Sequence, residues 1–204
     1  MTTVKEFDLE IIANTLAAHN PEILTPGNRG HSAVTMLLKE GLHSPEVLFI
    51  IRAEHDRDPW SGNIGFPGGR LNQENESPQQ AAEREAFEEL ALDLRQARYL
   101  GRLDDLFGAI MPVLVSCFVY QLLEPVTLQP NHEVATTFWS PLPKLLESKR
   151  HQQRTFIYRG AERTHPVIEL LDSQQPLLWG ITYRLMCNFF SLCDIDFASS
   201  EPTD

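Results

Sequence analysis

The 204-residue chain has little of what would commit it to several large classes of protein. It has three cysteines, Cys117, Cys187 and Cys193, odd in number and without metal-type spacing. That excludes a disulfide framework and points to reduced thiols in a cytoplasmic protein. No apolar run approaches the roughly 20 residues of a membrane span. Met1 to Leu16 lacks a basic start followed by an apolar core, so no secretory signal is expected. Positive charge is scarce. Seventeen Lys and Arg face 28 Asp and Glu, a net charge of −11. A face that binds a nucleic-acid backbone needs the opposite balance, and a phosphorylated ligand would need a metal or local arginines. Internal repeats and low-complexity linkers are missing too. What remains is an ordinary globular composition, 42% hydrophobic and 22% charged, and a length that suits one domain spanning residues 1–204.

The stretch Phe66 to Leu92, FPGGRLNQENESPQQAAEREAFEELAL, organises the rest. Phe66-Pro67-Gly68-Gly69 reads as a turn that little but glycine makes, bringing backbone close to a ligand. A polar acidic loop follows, from Arg70 to Glu76. Then comes a helix with a legible start: Ser77 as cap, Pro78 in the first turn and Gln80 as capping-box partner. Strong helix formers continue it without glycine or proline to Leu92.

On that helix Glu88 and Glu89 lie three and four positions beyond Glu85, so the three share one arc of roughly 100°. Ala82, Ala86 and Leu90 form the neighbouring apolar arc, with Phe87 at its edge. Glu85 and Glu89 are a like-charged pair that weakens an isolated helix by about 0.2–0.5 kcal/mol. Partly buried and about 5.5 Å apart, they would repel by about 3 kcal/mol at an effective dielectric of 20. A divalent cation removes that repulsion, and clustered carboxylate oxygens are what Mg²⁺ and Mn²⁺ prefer. Three glutamates alone would also suit a solvated acidic face.

The surrounding residues decide between the two. Arg84-Glu85-Ala86-Phe87-Glu88-Glu89-Leu90-Ala91-Leu92, with Glu76 before it and Gly68-Gly69 ahead, resembles the Nudix box. That signature is Gly, five residues, Glu, seven residues, then Arg-Glu-(aliphatic)-x-Glu-Glu-x-Gly-(aliphatic). Two positions depart from it. Gly69 lies one residue too far from Glu76, which puts Arg70 at the glycine position, and Ala91 stands where the last glycine would be. Arg52-Ala53, Arg57, Gly62 and Phe66-Pro67-Gly68-Gly69 also resemble the motif of Nudix enzymes that split coenzyme A. There Ala53 replaces a serine, and Arg57 and Gly62 are one residue further apart. Phe156 to Gly160 and Trp179 to Thr182 resemble the C-terminal part of the same subfamily.

The resemblance implies an α+β fold, an α/β/α sandwich with a mixed β-sheet, in which residues 68–92 form the loop–helix–loop box. It implies a metal-dependent hydrolase that cleaves a P–O–P bridge. Mg²⁺, or Mn²⁺, would be held by Glu85, Glu88 and Glu89. Arg84 would orient the carboxylates, and Glu133 would reach the metals or act as base. Arg52, Arg57, Gly68 and Gly69 would meet the substrate. Coenzyme A or a derivative is the expected substrate. ADP-ribose, a dinucleotide and a nucleoside triphosphate are alternatives, as is a non-catalytic nucleotide-binding module. Arginines suit the 3′-phosphate of coenzyme A because a guanidinium grips a phosphate through two parallel hydrogen bonds. His132 and His165 lack a partner at metal-binding spacing. Neither nucleic acid nor membrane is expected as a partner, and a homodimer stays open.

Elsewhere the pattern predicts a helix over residues 4–19, ended by Asn20-Pro21. It predicts a strand at Ser32 to Leu38, open to an amphipathic reading, and a hairpin around Gly41 to Pro45. Val47 to Ile51, apolar on both faces, reads as a central strand. Short strands are expected near Asn63 to Phe66 and over Tyr99 to Leu106, with longer ones at Val113 to Leu123 and Glu133 to Trp139. A short helix is expected at Pro141 to Ser148, and a late hairpin of Phe156 to Tyr158 and Val167 to Leu170, turning near Gly160. A final helix over about 180–193 carries Trp179, Tyr183, Met186, Phe189 and Phe190 as a core or dimer stripe. Ser199 to Asp204 should fray.

Overall fold

The structure, a computed structural model, describes residues 7–55, 60–72, 75–109, 112–158, 160–171 and 176–197. Helix α1 runs Leu9–Ala18, its N–H groups capped by the Asp8 carboxylate; the expected start at residue 4 lies outside the described residues. Strands β1 (Gly30–Lys39) and β2 (Glu46–Arg52) form the first hairpin. The short strands β3 (Ile64–Gly65) and β4 (Gly68–Arg70) lead to helix α2 (Pro78–Leu90). The strand expected over Tyr99 to Leu106 is two pieces, β5 (Arg98–Arg102) and β6 (Leu106–Phe107). Between them Asp105 turns its carboxylate to Arg102 and to the N–H of Leu24, so those residues tie down the N-terminal loop instead of the ladder. Strands β7 (Val113–Leu122) and β8 (Val134–Pro141) follow. The predicted helix after Pro141 is two short 3₁₀ segments, Leu142–Leu146 and Ser148–Arg150. Strands β9 (His151–Tyr158) and β10 (Ala161–Ile168) make the late hairpin, longer than its apolar residues alone suggested. Helix α3 (Gly180–Leu192) closes the described chain. The tail from residue 198 lies outside the described residues.

Eight strands form one mixed sheet with the path β3-β2-β1-β7-β5, while β4 pairs with β1, β6 with β7 and β8 with β2. The β1–β7 ladder is parallel over ten residue pairs, Gly30 opposite Val113 to Lys39 opposite Leu122; the other pairings are antiparallel. Period-two alternation sorts the strands onto two faces. Met36, Leu38, Val47, Phe49, Cys117 and Val119 pack toward the side covered by α1 and α3. Ala33, Leu37, Leu48, Ile50, Phe118 and Tyr120 pack toward α2. The fold is therefore an α/β/α sandwich. Strand β1 is not amphipathic. With neighbours on both edges and helices on both faces, its Ala33, Met36, Leu37 and Leu38 are fully buried. Among the described residues no helix is long and apolar enough to cross a membrane.

Helix α2 buries small residues, Ala81, Ala82, Ala86 and then Leu90, so it lies close on the sheet. The hydroxyl of Thr35, fully buried in β1, donates to the carbonyl of Ala82 at 3.2 Å. The same rotation that presents the alanines also turns Glu85 and Glu89 inward.

Candidate active site

The start of α2 follows its local chemistry. The Ser77 hydroxyl accepts from the N–H of Gln80, and the Gln80 side chain accepts from the N–H of Ser77. The far end is strained. Ala91 is left-handed, φ 55° and ψ 31°, and its N–H closes the helix on the carbonyls of Ala86 and Phe87. This is the position where the signature carries glycine, and an alanine holds the conformation at a cost of about 1 kcal/mol.

Gly68 and Gly69 do not form a turn. They are two of the three residues of β4, paired with Val34 and Ala33 of β1. Glycine is required there by proximity. A Cβ on Gly68, whose φ is +150°, would sit 2.3 Å from the Ala33 carbonyl oxygen; one on Gly69 would sit 2.4 Å from the Glu85 carboxylate. Gly69 thus fills the close-approach role of the signature glycine. Arg70, the residue that the spacing puts at the glycine position, is the last residue of β4.

The carboxylates differ in depth. Glu89 is 1% exposed and accepts the N–H of Gly68 at 2.9 Å. Burial pushes its pKa up to about 8 against the opposing pull of that N–H and of Arg52, and Glu85 and Glu133 add to the rise. Glu85, 8% exposed, is also raised, first by burial, with Arg84 opposing. Glu88 shares their arc but its side chain is 53% exposed. Arg84 stands among them. Its Nε donates to Glu76 at 2.7 Å, Nη1 to Glu85 at 2.8 Å and Glu88 at 2.9 Å, and Nη2 to the Arg70 carbonyl at 3.0 Å. Glu76, its side chain 4% exposed, also accepts the N–H of Asn72. Sequence reasoning used Glu76 as a spacing marker. Its part in holding Arg84 follows from the helix and the loop meeting, which residue spacing does not encode.

A cavity of about 830 Å³ opens beside this helix face. Glu85 and Glu88 line it, as do Gly68, Gly69 and Arg52, and Glu133 joins them from just before β8. Glu133 arrives through the sheet: its carbonyl accepts the N–H of Ala53, immediately after β2. Arg52 sits at a register shift in the β2–β8 pairing, and its N–H and carbonyl bond the Asn63 carbonyl and the Gly62 N–H. Arg57 lies outside the described residues. So of the residues expected to share a site, Arg52, Gly68, Gly69, Arg84, Glu85, Glu88, Glu89 and Glu133 are brought together.

The cavity has a second end that sequence reasoning missed. Trp60, Asn63 and Trp179 line it. Trp179 had been grouped with the apolar stripe of α3. Tyr183, Met186, Phe189 and Phe190 of that stripe are core residues, but Trp179 caps the helix from outside and faces the cavity, half-buried. The available signal was its position one residue ahead of Gly180, beyond the helix proper.

The donor set fits a hard divalent cation. It is all carboxylate oxygen, with neither sulfur nor imidazole, and two of its members are buried with raised pKa values that a cation would reverse. Among the described residues no three acidic, histidine or cysteine side chains are already drawn together as a closed ligand set.

Comparison with known proteins identifies relatives of the chain. An uncharacterised protein of Schizosaccharomyces pombe is 38% identical over 111 residues, 50% of this chain and 33% of its own length. The mitochondrial coenzyme A diphosphatase of Homo sapiens is 28% identical over 143 residues, 68% of this chain and 58% of its own. The peroxisomal coenzyme A diphosphatase of Caenorhabditis elegans is 30% identical over 165 residues, 79% of this chain and 67% of its own. The chain thus spans one third of the first relative and under two thirds of the second. The NUDIX domain family matches residues 29–159, from the start of β1 to the end of β9, and the chain belongs to that family.

Proposed function

We propose that the protein is a metal-dependent pyrophosphohydrolase whose substrate is coenzyme A or a coenzyme A derivative. The observation that carries this reading is Glu89. A carboxylate 1% exposed, beside a second buried carboxylate and above a glycine strand, holds its proton to about pH 8, and ionising it at neutral pH carries a cost that a bound cation would offset. Glu85 and Glu89, with Glu88 at the rim, are the residues that would hold Mg²⁺ or Mn²⁺. Bound there, the metal would neutralise phosphate charge and lower the pKa of a bound water. Arg84 keeps Glu85 and Glu88 oriented by hydrogen bonds and so acts as a positioning residue. We assign Glu133 as the base, because it shares the cavity and stands outside the Arg84 network. Gly68 and Gly69 let β4 lie against β1 and against the Glu85 carboxylate, and both glycines line the cavity in which the phosphates would sit.

The substrate assignment rests on the coenzyme A diphosphatases among the relatives and on Arg52, which brings a guanidinium to the cavity of an otherwise acidic chain. Arg52 suits the 3′-phosphate of coenzyme A. A panel of coenzyme A, dephospho-coenzyme A, ADP-ribose, dinucleotides and nucleoside triphosphates, with Mg²⁺ or Mn²⁺ and products identified by mass, tests it. Expected products are 3′,5′-ADP and phosphopantetheine, with coenzyme A well ahead of its dephospho form, and Arg52→Ala should narrow that gap. Full turnover in chelator would overturn the metal reading. Equal rates on coenzyme A and dephospho-coenzyme A would remove the arginine role.

A further inference from the structure

We infer that the end of the cavity formed by Trp179, Trp60 and Asn63 is a nucleobase subsite, in which the base of a nucleoside phosphate stacks on the indole of Trp179. The inference rests on the proposed reading for the placement of the phosphates, at the carboxylates and Arg52.

Trp179 is held as a wall. Phe156 of β9 lies flat against it, centroids 4.2 Å apart and planes 11° from parallel. Phe156 does not line the cavity and Trp179 does, so the covered face of the indole is the one turned away from it. A flat heterocycle on the cavity side would continue the Phe156–Trp179 stack by one ring. Trp60 stands beside it, 6.1 Å away and tilted by 57°, placed to meet such a ring by edge and not by face.

Asn63 supplies the polar contact. An indole N–H only donates, so the Trp179 Nε1 bond at 2.9 Å fixes the Asn63 oxygen as acceptor. The two N–H groups of the amide are then left with no partner among the described residues, on a side chain that lines the cavity. They match acceptor atoms on the edge of a base. The Asn63 carbonyl accepts the Arg52 N–H, so the aromatic corner and the phosphate-binding arginine are tied through one backbone hydrogen bond. A cavity of about 830 Å³ is within the range that encloses a ligand of nucleotide size.

Tryptophan emission reads the stack without turnover. Of the three tryptophans, Trp139 lies elsewhere, with the Lys39 ammonium 4.4 Å above its ring. Titrating the protein with AMP in Mg²⁺ should quench emission, and ribose 5-phosphate, which lacks the base, should not. Trp139→Phe should keep the quench. Trp179→Leu should abolish most of it and weaken AMP binding, by calorimetry, about tenfold or more. Trp179→Phe, which keeps a flat face, should restore most of the affinity. Trp60→Leu, a substitution in the segment before β3 that leaves the Phe156–Trp179 stack in place, should weaken binding to a smaller extent. AMP and ribose 5-phosphate binding alike, or AMP affinity unchanged in both leucine variants, would overturn the subsite. AMP stacking without hydrolysis of any P–O–P substrate would leave the subsite standing and remove the hydrolase reading. Turnover indifferent to the base would do the reverse.

Discussion

Helices α2 and α3 are each 13 residues long and flank the same sheet, yet they bury opposite kinds of surface. α3 fills its face with Tyr183, Leu185, Met186, Phe189 and Phe190. α2 buries three alanines, one leucine and two glutamates. Large apolar side chains hold a helix down by area, at roughly 1.5–3 kcal/mol for each fully buried one. Alanines contribute far less area but permit close approach, and close approach is what sets Glu85 against Gly69 and Glu89 under the Gly68 N–H. One helix secures the sandwich, and the other uses part of that stability to bury charge.

The contrast is sharpest if each helix is damaged in turn. Phe190 is fully buried, stacked on Phe197 at 4.9 Å and edge-on to Phe189 at 5.5 Å. Phe190→Ala should cost about 3–5 kcal/mol in denaturant unfolding and leave turnover per folded molecule unchanged. A loss of turnover at full stability would mean that α3 serves the site more directly than its packing implies.

Glu89→Gln should act the other way. Turnover should fall at least about 10²-fold, the scale on which a charge-stabilising group acts. Metal-free stability should stay level or rise. The pH dependence gives the sign. The folded-state pKa of Glu89, about 8, lies above its ordinary value, so the folded protein holds this proton more tightly than the unfolded chain does. The stability that proton confers is present in full below the ordinary carboxylate range. It is lost as pH rises from there to about 8. The metal-free parent should therefore show its melting temperature falling across that window, and the Gln variant should show a flatter profile. A variant that loses stability at every pH while keeping its turnover would make Glu89 a packing residue.

The smallest effect lies where α2 ends. Ala91→Gly should stabilise the protein by about 1 kcal/mol, because glycine adopts the left-handed φ of 55° without strain. Unchanged or lowered stability would mean that the Ala91 side chain is held by contacts worth more than its strain.

Much of this architecture could be read from residue order. Alternation along Val47 to Ile51 and Val113 to Leu122 yields strands with two apolar faces, because a β-strand turns successive side chains to opposite sides. Ser77, Pro78 and Gln80 specify where α2 begins, since their hydrogen bonds close within four residues. Helical geometry alone puts Glu85, Glu88 and Glu89 on one arc beside Ala82, Ala86 and Leu90. These are short-range facts of backbone geometry. Depth is another matter. Glu88 and Glu89 are sequence neighbours, but one side chain is half exposed and the other sealed, because only one faces the sheet. Gly68 and Gly69 looked like a turn until β1 came alongside and made them a strand. Glu133, Trp60 and Trp179 have no local pattern that announces a site. They share a cavity with Glu85 through the pairing of β2 with β8 and the packing of α3 beneath the sheet, although they stand from 25 to 94 positions away from it in the chain. A chain specifies such contacts only through the whole fold, because the burial that raises the pKa of Glu89 exists only once helix and sheet have closed over it.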